Sequence, residues 1–304
     1  MLVQNWHAYL RLTGAQIDLE QFQEIFGARA AGEAIRIPRG LDMALLRSDR
    51  AEHAALRESI LAWRRVGVAR LEQELFVQRK RLSDAERTLK SRSTRKAIDE
   101  QRIAGSKIQL ALARRSLLAS EEQDDDDWRI FPMTYAPLLL QAGGVRRVRL
   151  ARYHCRPADK PAGIDRRFPT LYNARRDNLD GFWSRQFGRD HAVLLAESFF
   201  ENVKRDGRNA VLHFVPQPAG PMRIACLTSE WVGPTDRRTL LSFATITDEP
   251  PADVAAAGHD RMIVNIRREN VDGWLEPANR TRDQLQAILS DREPLRYAHR
   301  VMAA

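Results

Sequence analysis

Cys155 and Cys226 are the only thiols in 304 residues, and a thiolate is the side-chain group best suited to nucleophilic attack near neutral pH. Each is read as lying in a strand, where a lone cysteine is a small buried hydrophobe rather than a reactive group. Two cysteines are too few for a disulfide framework or a four-cysteine zinc site. His154, Cys155 and His259 would need a fourth ligand and a close approach to hold a metal. The run Asp124 to Asp127 repels itself and reads as a solvated linker rather than a hard-cation site. No metal and no cofactor is therefore expected. Glu201 and His259 have the side chains for proton transfer. On their own they read as a structural pair closing a polar cleft, and Asn173 as a turn residue.

The elements that position these residues fall into two kinds. From Ser48 to about Glu122 proline is absent, glycine nearly vanishes, and Ala, Leu, Arg, Glu and Gln dominate, the composition of helix. Leu56, Ile60, Trp63, Gly67, Leu71 and Leu75 recur at spacings of three and four. Ile98, Gly105, Ile108 and Leu112 repeat the pattern more weakly. Ser48 or Asp49 is placed to cap the first helix, and Ser91 to Thr94 breaks the period. The expectation is an antiparallel helical hairpin over residues 48–122, followed by an acidic linker to residue 127. Beyond Asp127 the chain changes to short apolar and β-branched segments cut by Pro, Gly and Asp. Strands are expected at Val145 to Tyr153, Ala192 to Leu195, Asn209 to Val215, Arg223 to Thr228, Thr239 to Thr247 and Arg261 to Ile266.

A net charge of +9 and a pI near 10.0 favour a polyanionic partner, because neutralising phosphates releases counterions whatever the base sequence. The hairpin carries most of that basic surplus and is a candidate for phosphate contact, for a protein partner or for self-association. There is no apolar run of about 18 residues and no signal-peptide pattern at the start. A cytoplasmic protein with no membrane contact is expected.

Four blocks, in order, resemble the SRAP family, the SOS-response-associated peptidases that process abasic sites in DNA. Tyr135-Ala136-Pro137, after Phe131-Pro132, is similar to the asparagine-x-alanine-proline segment. Tyr172-Asn173-Ala174-Arg175-Arg176-Asp177 resembles the asparagine-alanine-arginine block. Leu195-Ala196-Glu197-Ser198-Phe199-Phe200-Glu201 resembles the alanine-aspartate-glycine block with its aromatics and glutamate. His259-Asp260-Arg261-Met262, with Asp272 to Pro277 downstream, is similar to the histidine-x-arginine-methionine and tryptophan-leucine blocks. Leu240 to Thr247 stands where the family has a serine-phenylalanine strand. The chain departs from the pattern at Arg152-Tyr153-His154, where the family has arginine-tryptophan-glycine, and at Ser198 and Ile263, which replace glycine and proline.

The resemblance implies an α+β fold, mainly β, built from residues 1–47 and 128–304, with the hairpin as an insertion. It implies single-stranded or abasic-site DNA as partner and a nucleoid location when the protein is on DNA. Asn173, Glu201 and His259 take catalytic roles by that resemblance, and Arg175 and Arg152 take DNA-binding roles. In the family an N-terminal cysteine supplies an amine and a thiol that close a thiazolidine on the aldehyde of the abasic sugar. This chain begins Met1-Leu2-Val3-Gln4, with no cysteine before Cys155, so that ring cannot form from its first residues. Bulky Leu2 is expected to block methionine removal, and the family's start is expected to align near Trp6 to Leu10. Reduced or altered covalent chemistry follows, through an imine at another amine. The alternative is an inactive interaction or scaffold protein acting through the hairpin.

Overall fold

The computed structural model describes residues 2–4, 6, 14–205 and 208–302. Strands β1 (Leu2–Gln4) and β2 (Gln16–Ile17) precede helices α1 (Leu19–Ala30) and α2 (Arg39–Leu46), then α3 (Ala54–Ser91) and α4 (Arg95–Ala119). There follow β3 (Arg129–Ile130), β4 (Tyr135–Ala142), β5 (Val145–Tyr153), α5 (Ile164–Arg167), β6 (Asn173–Arg175), β7 (His191–Arg205), β8 (Arg208–Gln217), β9 (Met222–Val232) and β10 (Thr239–Asp248). The last elements are α6 (Ala252–Ala256), β11 (Met262–Ile263), α7 (Val271–Leu275), α8 (Arg282–Ser290) and β12 (Arg296–Val301). This is the α+β class that the sequence suggests.

The chain divides into two compact units. Residues 1–22, 35–44 and 124–304 form the first, and residues 23–34 and 45–123 the second. In the first unit β4 pairs with β5 and β7, β7 with β9, β9 with β10, and β10 with β5. That circuit closes a five-stranded barrel and leaves no free edge along it. Its interior holds Leu138, Leu140, Ala151, Tyr153, Leu194, Ile224, Cys226 and Phe243 in one apolar cluster. Strand β7 is long because it serves two neighbours, pairing β9 from His191 to Ala196 and β8 from Phe199 to Arg205.

In the second unit α3 and α4 pack through a seam of small residues. Leu56, Ile60, Leu75 and Ala85 are buried on α3, and Ala97, Ala104, Ile108 and Ala111 on α4. Of the expected α4 stripe, Ile108 is buried and Leu112 packs against it, while Ile98 is 50% exposed and its place is taken by Ala97. Alanine carries the seam because two helices approach closely where side chains are small. Thr94 caps α4 by accepting from the Ala97 N–H. The first helix starts later than Ser48 or Asp49 would place it, after a 3₁₀ turn at Ala51–His53, and His53 stands at its N-cap with its side chain bonded to Ser48 rather than to the helix backbone.

Candidate functional site

The site is set by one irregularity in β7. Ala192, Leu194 and Ala196 point into the barrel cluster, and strict alternation would send Ser198 and Phe200 there next. Instead β1 pairs Gln4 with Ala196 but Val3 with Ser198 and Leu2 with Phe199, so Glu197 is an extra residue. This β-bulge flips the parity. Phe199 and Val203 join the interior cluster, and Glu201, between them, faces the same side.

His259 arrives on the loop between α6 and β11. Its Nε2 lies 3.2 Å from Oε2 of Glu201, and its Nδ1 donates to the Arg261 carbonyl. The hydrogen bond to Glu201 raises the imidazole above its ordinary value, outweighing the burial that opposes it, with Asp260 adding to the rise. The protonated ring therefore has both N–H groups directed at acceptors and can deliver a proton near Glu201.

Asn173 opens β6, which runs parallel to β10 with Asn173 opposite Thr245 and Arg175 opposite Thr247. Thr245 Oγ1 donates to Asn173 Oδ1 at 3.2 Å and lies 3.5 Å from the Tyr153 hydroxyl. The Tyr153 ring stacks on Phe243 at 5.0 Å and meets the edge of Tyr172 at 5.6 Å. Burial raises the phenol of Tyr172, and the carboxylate of Glu201 raises it further, so Tyr172 stays a neutral donor beside that carboxylate. Asn173, Thr245 and Tyr153 thus form one hydrogen-bonded group and Glu201 and His259 a second, and the charge of Glu201 acts on the phenols of Tyr153 and Tyr172.

Arg175 is half exposed and forms a fork with Asp177, which also takes Arg261 at 3.7 Å. Arg175 and Arg261 share Asp177, and both guanidinium groups remain partly exposed. Arg152 lies elsewhere. Tyr153 points into the barrel, so Arg152 points out. It is 7% exposed, with its guanidinium on Asp165 at 2.8 and 3.2 Å. Arg156 binds the same carboxylate and lies 4.5 Å over Trp231. Burial pushes the Asp165 carboxyl up, but the hydrogen bonds from Arg156 and Arg152 prevail and hold it below the usual range. The geometry assigns Arg152 to this buried ionic knot and does not bring it to the face that holds Glu201.

Both cysteines are buried, and burial pushes the Cys155 thiol up to about 12 and the Cys226 thiol higher still. Neither is a thiolate at neutral pH. The segment expected to align with the family's start, Trp6 to Leu10, lies outside the described residues apart from buried Trp6. The described strand Leu2–Gln4 pairs with β3 and with β7 at Ala196 to Phe199. Among the described residues no cluster of three potential metal ligands occurs, and the aspartate run forms a capping box between Asp124 and Asp127. Thr245 and Tyr172 were not singled out as site residues from sequence, because the parallel pairing of β6 with β10 joins segments about 70 positions apart and has no local signature.

The sequence model of the SOS response associated peptidase (SRAP) family matches residues 91–303. Abasic site processing protein YobE of Bacillus subtilis is 28% identical over 122 residues, which are 39% of this chain and 55% of that protein. The match spans about half the length of that relative. Similar solved structures include a protein from Bacteroides thetaiotaomicron, 14% identical with a TM-score of 0.48, covering 56% of this chain and 75% of that one. Another is a phage-related protein from Bordetella bronchiseptica, 16% identical with a TM-score of 0.45, covering 58% and 82%. No helix among the described residues is long and apolar enough to cross a membrane. The match over residues 91–303 places this chain in the SOS response associated peptidase family.

Proposed function

We propose that this chain acts in the DNA damage response by binding abasic sites in single-stranded DNA, with Glu201 and His259 acting on the exposed sugar and Arg175 on a flanking phosphate. The observation that carries this reading is the 3.2 Å contact between Glu201 and His259 on the interior side of β7. An abasic sugar is mostly a closed hemiacetal, and opening it to the aldehyde needs a proton moved between ring oxygen and hydroxyl. A carboxylate paired with an imidazolium can do this. If an amine of the protein then adds to the aldehyde, water leaves and an imine forms. Without a cysteine thiol beside that amine no thiazolidine follows, and the imine reverts by hydrolysis or permits β-elimination.

Borohydride trapping on an abasic oligonucleotide tests this. A covalent adduct that falls sharply in Glu201→Gln supports imine chemistry at this site. Preferential binding of the abasic strand without adduct supports recognition alone. Equal affinity for abasic, intact single-stranded and duplex DNA overturns the reading. A second reading, an interaction protein working through the hairpin, is favoured by Phe76, which is 69% exposed beside Val77 at 46%. It predicts retained partner binding when Glu201 and His259 are replaced.

A further inference from the structure

The same alternation that turns Glu201 inward after the bulge turns Val193 and Leu195 outward before it. With Leu139 of β4 they floor a cavity of about 220 Å³ on the outer face of the sheet, rimmed by Arg146, Arg223 and Arg268 and bounded by Val271 and Asp272. Leu195 and Glu201 are six residues apart on one strand, about 20 Å along it, and face opposite sides. The cavity is therefore separate from the site described above.

Its charges are unbalanced. Arg146 is held by Asp272. Arg223 has only Glu293, at 4.0 Å, the limit of an ion pair. Arg268 has no side-chain partner among the described residues. With Arg146 neutralised by Asp272, Arg223 and Arg268 are the two weakly compensated guanidinium groups on one small cavity and repel one another, more strongly where water is partly excluded. An anion with several acceptor oxygens would relieve that repulsion, and the planar fork of arginine matches the oxygens of a phosphate. The volume exceeds what one phosphate fills, and the floor is aliphatic, so the ligand carries an organic body of roughly sugar or base size.

We propose that this cavity binds a phosphate ester of nucleotide size, with the phosphate between Arg223 and Arg268 and the organic body on Leu139, Val193 and Leu195. The proposal does not depend on the abasic-site reading. Two sources share this chemistry, a free mononucleotide and the terminal phosphate of a DNA strand.

Calorimetry on the full chain with thymidine 5′-monophosphate, thymidine and inorganic phosphate tests it. Saturable binding of the monophosphate is expected, tighter than inorganic phosphate by about tenfold or more, with none for thymidine. Arg268→Ala is expected to weaken the monophosphate at least about tenfold, since a charge-assisted bidentate pair is lost. Arg268 is exposed, so its removal leaves the fold intact. Glu201→Gln is expected to leave this binding unchanged. Leu195→Glu, which puts a carboxylate on the floor, is expected to abolish it, with circular dichroism confirming the fold. A short oligonucleotide with a 5′-phosphate that binds more tightly than the mononucleotide assigns the strand-end source, and equal or weaker binding assigns the free nucleotide. Equal affinity for thymidine and its monophosphate, no saturable binding, or an unchanged affinity in Arg268→Ala overturns the proposal.

Discussion

His259 Nε2 meets Glu201 Oε2 at 3.2 Å, although the two residues come from a loop and from the middle of the longest strand. The contact holds His259 protonated above its ordinary range. The sign of the linkage follows: a group whose folded value is raised adds stability fully present below about pH 6.5, lost as pH rises through the folded value. In a titration followed by NMR the His259 ring is expected to titrate above an exposed histidine. In Glu201→Gln it is expected to fall toward or below the ordinary value, because the burial that opposes protonation remains. An unchanged titration in that variant would show that Glu201 does not hold the proton.

The alternation along β7 makes a sharper test of the site's architecture. Deleting Glu197 would leave Glu201 facing inward, whereas inserting one alanine between Phe199 and Phe200 shifts the alternation by one position and moves Glu201 to the opposite face. The expected result is a folded protein whose His259 titration is no longer raised and whose Glu201-dependent imine adduct is absent. The β7–β9 ladder, which ends at Ala196, is expected to keep its hydrogen-exchange protection. An insertion variant with wild-type His259 behaviour would show that the alternation along β7 does not position Glu201.

A second histidine gives the opposite sign. His191 is 5% exposed, stacks on Trp274 at 3.9 Å, accepts from the Gly188 N–H and donates to the Trp274 carbonyl. Burial lowers it to about 3. The unfolded chain takes up this proton near pH 6.5 and the folded chain does not, so stability is full above that pH and declines as pH falls toward 3, by up to about 1.4 kcal/mol per unit. Denaturant melts of His191→Gln are expected to start lower, from lost stacking, and to decline less steeply between pH 6 and 4. A parallel decline in both proteins would remove His191 as an acid sensor.

Much of this was legible in the sequence, and the gaps have physical causes. The span Val145–Tyr153 is a strand as expected, because β-branched and apolar residues between turn signals leave few alternatives. The long helices show through composition alone. On α4 the expected Ile108 and Leu112 do lie at the seam, while Ile98 is exposed and Ala97 and Ala104 are buried instead, because hydrophobic patterning underweights alanine. The expected strand at Ala192 to Leu195 extends from His191 to Arg205, since the polar stretch Glu197, Ser198 and Glu201 breaks the apolar pattern where the site needs polarity. Arg152 was given a DNA role by its place in a family block. Its acid partner Asp165 lies 13 positions on, in a short helix with no motif of its own.

That difference between two arginines yields the last prediction. Arg175 is half exposed, with Asp177 and Arg261 beside it, so its alanine variant is expected to fold normally and to bind single-stranded DNA more weakly. The plot of log affinity against log salt is expected to lose roughly one unit of slope, since one phosphate contact releases about one counterion. Arg152 sits in a buried knot that its loss would unbalance. Asp165→Ala leaves Arg152 without its carboxylate in a nearly buried position, and breaking such a pair costs about 3–5 kcal/mol. The expected outcome there is a large fall in unfolding free energy with an unchanged salt slope for the folded fraction. If instead Asp165→Ala lowered the slope and Arg175→Ala did not, the phosphate contact would belong to the outer face of β5.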